Sequence, residues 1–217
     1  MAFRKISTKA TESEQGSGYI SKSGIYDAHL KGIEVASTTN GATQLNYYFD
    51  TINSFNNIVI SKDNKPTFGM DVLDSLGFIN GMSDSDTIAD PEPTNIKFNK
   101  GPKELNCLPD FLDIECKVWV QFQYHIWDNE IKEKVVVKRF YRADDNASGS
   151  ELSGASKDPI GTNYSKDEAY AARAKYDDGL TEEKITEWQT AQADERKGST
   201  PAVASTNKGS AAAFPGQ

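Results

Sequence analysis

From Ile114 to His125 the chain alternates without a break. Ile114, Cys116, Val118, Val120, Phe122 and Tyr124 fall on one side of an extended strand, and Lys117, Trp119, Gln121, Gln123 and His125 on the other. A period of two sustained over this length is incompatible with a helix and calls for a sheet with one buried face. One strand cannot bury itself, and a partner follows at once. Trp127-Asp-Asn-Glu130 has hairpin-turn chemistry, and Lys134-Val-Val-Val-Lys-Arg-Phe-Tyr-Arg142 returns as the second strand. Simple alternation puts Lys134, Val136, Lys138, Phe140 and Arg142 on one face of that strand, away from the core.

The residues ahead of this hairpin supply more strands. Residues 26–35 alternate with a phase break at Gly32-Ile33, which marks a bulge that bends the strand. After a turn at Thr38-Thr-Asn-Gly41, Leu45, Tyr47 and Phe49 share one face and Tyr48 the other. Residues 57–61 form a short third strand. Val72, Leu73 and Leu76 lie at helical spacing, in a helix expected to start at about Asp71 and to stop at Gly77. Residues 78–112 then read as a long connection rich in turn formers, of a length that is uncommon inside a compact domain and often functional. Three strands, a short helix and two more strands is the element order of an OB-fold, a five-stranded, partly open Greek-key barrel that binds oligonucleotides and oligosaccharides. The expected fold is therefore mainly β: an OB-fold-like barrel with a short helix between strands 3 and 4, followed by C-terminal helices and a flexible tail.

Only 37% of the 217 residues are hydrophobic, and the large apolar ones concentrate between Ile25 and Tyr141. This divides the chain into a flexible arm (1–17), the β domain (18–145), a linker (146–164), a helical extension (165–198) and a disordered tail (199–217) carrying Phe214. Ser165 and Thr181 are the expected caps of the two helices in the extension. The start of the chain lacks the apolar core of a signal peptide, and no run is long enough to span a bilayer, so the expected location is the cytoplasm. Cys107 and Cys116 are too few for a disulfide framework. The net charge of −8 argues against coating duplex DNA by bulk attraction, though it leaves room for a locally basic groove.

Catalysis finds little support. His29 and His125 both lie in strand patterns, and no phosphate loop, His-Glu-x-x-His or paired Cys-x-x-Cys occurs. The expectation is a chain that is not an enzyme and needs no cofactor or metal. A hydrolase using carboxylates of residues 78–115 is the weakest alternative. The hairpin makes a better case. Cations alternating with flat aromatics suit a single-strand groove, in which rings stack on unpaired bases and Lys or Arg neutralise phosphates. The candidate contacts are His29, Lys31, Tyr48, Lys117, Trp119, Gln121, Lys138, Phe140 and Arg142. The same residues also fit a solvated sheet face, with Trp119 covered by the C-terminal helices.

Three segments, Gly24-Ile-Tyr-Asp-Ala-His-Leu-Lys-Gly-Ile-Glu-Val-Ala36, Lys65-Pro-Thr-Phe-Gly-Met70 and the terminal Phe140-Tyr-Arg142, resemble a group of phage-encoded single-stranded DNA-binding proteins. The likeness covers about residues 18–145. It implies an OB-fold that protects single strands during phage replication or recombination. Such proteins end in an acidic tail tipped by an aromatic residue that recruits replication partners. Here Phe214 is present but no acidic run precedes it. The alternative is a phage accessory or structural protein whose β domain binds another protein.

Overall fold

The computed structural model describes residues 19–98, 101–177 and 179–198. It divides the chain into two compact units, 1–177 and 178–217. The first unit is mainly β, and its strands belong to one eight-stranded, largely antiparallel sheet. Strands β1 (Gly24–Ser37), β2 (Thr43–Phe49) and β3 (Phe55–Ile60) form a meander, and helix α1 (Phe68–Ile79) follows. Next come β4 (Glu92–Phe98), β5 (Gly101–Cys107), a short 3-10 turn (Pro109–Phe111), β6 (Ile114–Trp127) and β7 (Glu130–Arg142). The unit closes with α2 (Gly149–Leu152), α3 (Thr162–Ala171) and the two-residue β8 (Lys175–Tyr176). In the second unit the described residues form α4 (Glu182–Gly198), where the Ile185 N–H donates to the Thr181 carbonyl as a cap position requires. Among the described residues no helix is long and apolar enough to cross a membrane.

The bulge expected in β1 is present. Leu30 pairs with Phe49 and Gly32 with Tyr48, so Lys31 is the extra residue. The bend lets one strand serve two neighbours, since Gly24 to Leu30 pair with β6 while the rest pairs with β2. The Trp127–Glu130 hairpin turns through Asp128 and Asn129, whose φ values of +52° and +62° fit the paired left-handed residues of a type I′ turn.

Curvature brings β3 and β7 together without a backbone ladder between them. Asn57 spans the gap instead. Its buried side-chain amide donates to the Val137 carbonyl at 2.9 Å and accepts from the Val137 N–H at 3.1 Å. The core lies inside this curl. Leu30, Ile33, Leu45, Tyr47, Val118, Val120, Val137 and Phe140 are buried there, and Leu76 of α1 is buried with them. Each such side chain contributes about 1.5–3 kcal/mol relative to exposure.

Three expectations are corrected. The helix starts at Phe68, capped by Thr67, and runs through Gly77 to Ile79. Its early start is possible because Gly69 has no Cβ, which would sit 2.1 Å from the Ile58 carbonyl oxygen. The long connection contains a β-hairpin, β4–β5, whose Ile96, Leu105 and Cys107 pack against Tyr48, Phe98 and Leu112. The segment expected to be a linker is part of the compact unit. There Glu151 accepts from the backbone N–H groups of Ser148 (2.8 Å), Asn163 (2.9 Å) and Gly161 (3.3 Å). Helix α3 accordingly begins at Thr162 after Gly161, not at a Ser165 cap, and the expected 165–198 extension spans α3, β8 and α4.

Candidate nucleic-acid interface

The register of β6, β7 and β8 defines one outer face. Trp127 pairs with Glu130, His125 with Lys132, Gln123 with Lys134, Gln121 with Val136 and Trp119 with Arg139. On the other edge of β6, Lys175 of β8 pairs with Gln123, so Lys175, Gln123 and Lys134 form a row across three strands. Residues in register point to the same side, and the opposite side is taken by the buried Val118, Val120, Phe122 and Tyr124. Tyr176 extends that inner side, its ring stacked on Tyr124 at 5.9 Å.

Charge and aromatic surface converge on this face. Trp127 is 65% exposed at the hairpin tip. Lys132 is paired with Glu130, whereas Lys134 and Lys175 form no ion pair among the described residues. Lys138 adds a fourth ammonium, 4.5 Å from the centroid of the Phe68 ring. Partial burial, followed by the nearby cations of Lys175 and Arg139, holds its pKa below the usual lysine range. A depressed ammonium next to two other cations marks a site where an incoming anion would be stabilised.

Helix α3 covers the other end of the face. Asp167 ion-pairs with Arg139 and accepts from the Tyr141 hydroxyl at 2.7 Å. Tyr164 meets the edge of Tyr141, and the Lys117 ammonium stands 5.3 Å from the Tyr164 ring while donating to Asn146 at 2.6 Å. Trp119 lies between these engaged cations, half-buried, its indole N–H without a hydrogen-bond partner among the described residues. Compared with known protein families and with curated proteins, the chain matches no family model and no curated protein.

The residues singled out in the sequence do not form one site. Phe140 is core, fully buried, with its ring 5.5 Å from that of Tyr47. The alternation fails because β7 bulges: Arg139 pairs with Trp119 and Val137 with Val120, which leaves Lys138 without a partner and shifts Phe140 inward. Arg142 is tied to Asp145 through Nε (3.0 Å) and Nη2 (2.5 Å). Lys138 and Gln121 lie on or beside the face, with Gln121 accepting from Gln123. His29, Lys31 and Tyr48 are at the far end of the sheet, since His29 pairs with Glu115, about 40 Å along β6 from Trp127.

There, His29 Nδ1 is 2.9 Å from Asp50, and the Lys31 ammonium is 2.7 Å from Asp113, with Glu115 also close. Three carboxylates around two basic groups do not attract phosphate. Tyr48 donates to Glu34 at 2.6 Å and packs edge-on against Phe98. Phe214 lies outside the described residues. Trp127, Lys175 and Phe68, which the structure places on or beside this face, were not among the candidates read from the sequence. Trp127 was legible as an aromatic beside a type I′ turn, but Lys175 depends on β8 pairing with β6, for which two residues of chain give no signal.

Proposed function

We propose that this chain binds single-stranded DNA with little sequence preference, through the outer face of β6, β7 and β8. The observation that carries the reading is the row Lys175–Gln123–Lys134 on the same face as the exposed Trp127, because it joins cations that have no ion pair among the described residues to a flat, solvent-facing ring. An OB-type scaffold is supported by the path β1–β2–β3–α1–β6–β7, by the bulged β1 shared between β2 and β6, and by the approach of β3 to β7 at Asn57. On that scaffold β4–β5 is an insertion, and the β6–β7 turn is one of the two loops with which OB-folds grip oligonucleotides. The resemblance of residues 18–145 to phage single-strand-binding proteins adds the setting: protection of strands in phage replication or recombination.

A gel shift at moderate salt tests the proposal. Oligothymidine should bind more tightly than duplex of the same length, since only unpaired bases offer faces for stacking. Equal binding to both, or to neither, overturns it and leaves the apolar tip of Ile126 and Trp127 as a surface for another protein.

The face also makes a residue-level prediction. Trp127→Ala should weaken oligothymidine binding by about 1–3 kcal/mol, the cost of one stacking platform. Lys134→Ala should weaken it less and reduce the salt slope by about 0.7, the value of one lost contact to a single strand. Both side chains are on the surface, so stability should stay within about 0.5 kcal/mol of the parent. Unchanged affinity in both variants would remove the hairpin face from the interface.

A further inference from the structure

A cleft of about 300 Å³ lies between α1 and the bulged part of β7, next to the face just described. Its size is at the lower end for small-ligand sites. Two walls of opposite charge line it. Lys138 and Arg139 stand on the β7 side; Asp71, Asp74 and Ser75 stand on the α1 side, spaced so that one stripe of the helix faces the cleft. Gly149 of α2 closes in on Ser75, where a Cβ would lie 2.4 Å from the Ser75 oxygens. At the mouth is Phe68, a large ring left 50% exposed at the first position of α1.

Resting on the single-strand reading above, we propose that this cleft is a nucleobase subsite. One unpaired base stacks on the Phe68 ring. Its phosphate faces Lys138, beside the Arg139 that Asp167 already engages, and its hydrogen-bonding edge faces Asp74. The charge pattern sets this orientation, because a phosphate against Asp71 and Asp74 would be repelled, while a base edge carrying N–H donors is attracted. Guanine fits best, since its adjacent N1–H and N2–H donors can both be accepted by one carboxylate. The outer face thus supplies sequence-tolerant binding and the cleft adds a preference at one position.

Several observations support this occupant. Lys138 stands over one face of the Phe68 ring, so a base stacking there displaces the ammonium, whose flexible stem keeps it within reach of the phosphate of the same nucleotide. The same ammonium is partly buried and stands near the cations of Lys175 and Arg139, which Asp167 only partly offsets, so an anion beside it favours its charged form. The cleft is also continuous with the outer face through Arg139, which pairs with Trp119.

The test titrates the full chain with oligothymidine and with an oligomer of equal length carrying interspersed guanines, read by quenching of tryptophan emission. The parent should bind the guanine-bearing strand several-fold more tightly. Phe68→Ala and Phe68→Leu should both lose roughly 5- to 20-fold in affinity for either strand, within the range for one stacking platform, and Phe68→Trp should retain it. Asp74→Asn should abolish the guanine preference, bringing affinity for the guanine-bearing strand down to that for oligothymidine. If Phe68→Leu binds like the parent, the ring is packing and not a platform, and the subsite is overturned. Parent-like binding by Phe68→Ala alongside weakened binding by Trp127→Ala overturns the subsite and leaves the outer-face reading standing. No guanine preference in the parent overturns the assigned orientation. A parent that binds neither strand overturns both proposals.

Discussion

Phe140→Ala should destabilise the protein by about 3–5 kcal/mol, the cost of emptying a phenylalanine site in a close-packed core. Strict alternation along β7 would place Phe140 beside Lys138 and Arg142, where truncation would act on binding. The bulge reverses that expectation. Phe140 pairs with Val118, which is fully buried like itself, and its ring packs obliquely on Tyr47 at 5.5 Å. Removal opens a cavity between β7, β6 and β2 that rigid neighbours cannot fill. A loss of this size is a large fraction of the 5–15 kcal/mol that holds a typical domain together. Urea denaturation should show a lower midpoint with an unchanged slope. At a temperature where the variant is still folded, affinity for oligothymidine should match that of the parent. A small change in stability together with weakened binding would show that Phe140 faces outward.

Where apolar residues recur at a fixed period, the sequence disclosed the structure. The β6 alternation, the Asp128-Asn129 turn and the bulge near Gly32 were legible because each has a local cause: a period of two, a left-handed pair, a glycine at a phase break. The β4–β5 hairpin was not legible. Pro93 and Pro102 lie within its strands, and its buried residues, Ile96, Leu105 and Cys107, are too sparse to form a pattern. Its stability comes from packing on Leu112, just beyond the hairpin, and on Tyr48, which is remote in sequence.

The site was half legible for a related reason. Aromatic and cationic residue types on the hairpin pointed to β6 and β7 as the candidate element, but the face of each depends on the bulge at Lys138. A one-residue bulge in β7 is set by the register of its neighbour and by Asn57, whose amide engages both backbone groups of Val137. No feature of residues 134–142 alone announces it. His29 and Lys31 illustrate the converse problem, since a basic pair in a strand attracts anions only where carboxylates are absent. Asp50 is brought to them by the end of β2, and Asp113 and Glu115 by the start of β6.

A chain ending at Asp145 should lose cooperative folding or become markedly less stable, although composition alone makes this look like a natural boundary. Beyond Asp145 the residues are small and polar, yet they cover Tyr141, which is fully buried. Cutting there removes the Tyr164 ring that packs on it and the Asp167 carboxylate that accepts from its hydroxyl and pairs with Arg139. Exposing a large side chain costs about 1.5–3 kcal/mol, and losing a hydrogen bond to a charged group costs about 1.5–3 kcal/mol more. The edge of β6 that β8 covers would also open.

A pH dependence follows from the same residues. Burial alone would raise the pKa of Glu151, but hydrogen bonds from the N–H groups of Ser148, Asn163 and Gly161 outweigh it and hold the carboxyl below the usual range. Asp145 is lowered to about 2, first by its hydrogen bond from Arg142. Groups with folded pKa values below their unfolded ones stabilise fully above about pH 4 and lose that contribution as pH falls towards the folded value. Stability of the intact chain should therefore drop between about pH 4 and about pH 2, and Glu151→Gln should flatten the upper part of that decline. Thermal melts of the intact and shortened chains, compared at pH 7 and pH 3, check both statements. A shortened chain that melts cooperatively near the parent temperature would show that residues 146–177 decorate the domain without supporting it.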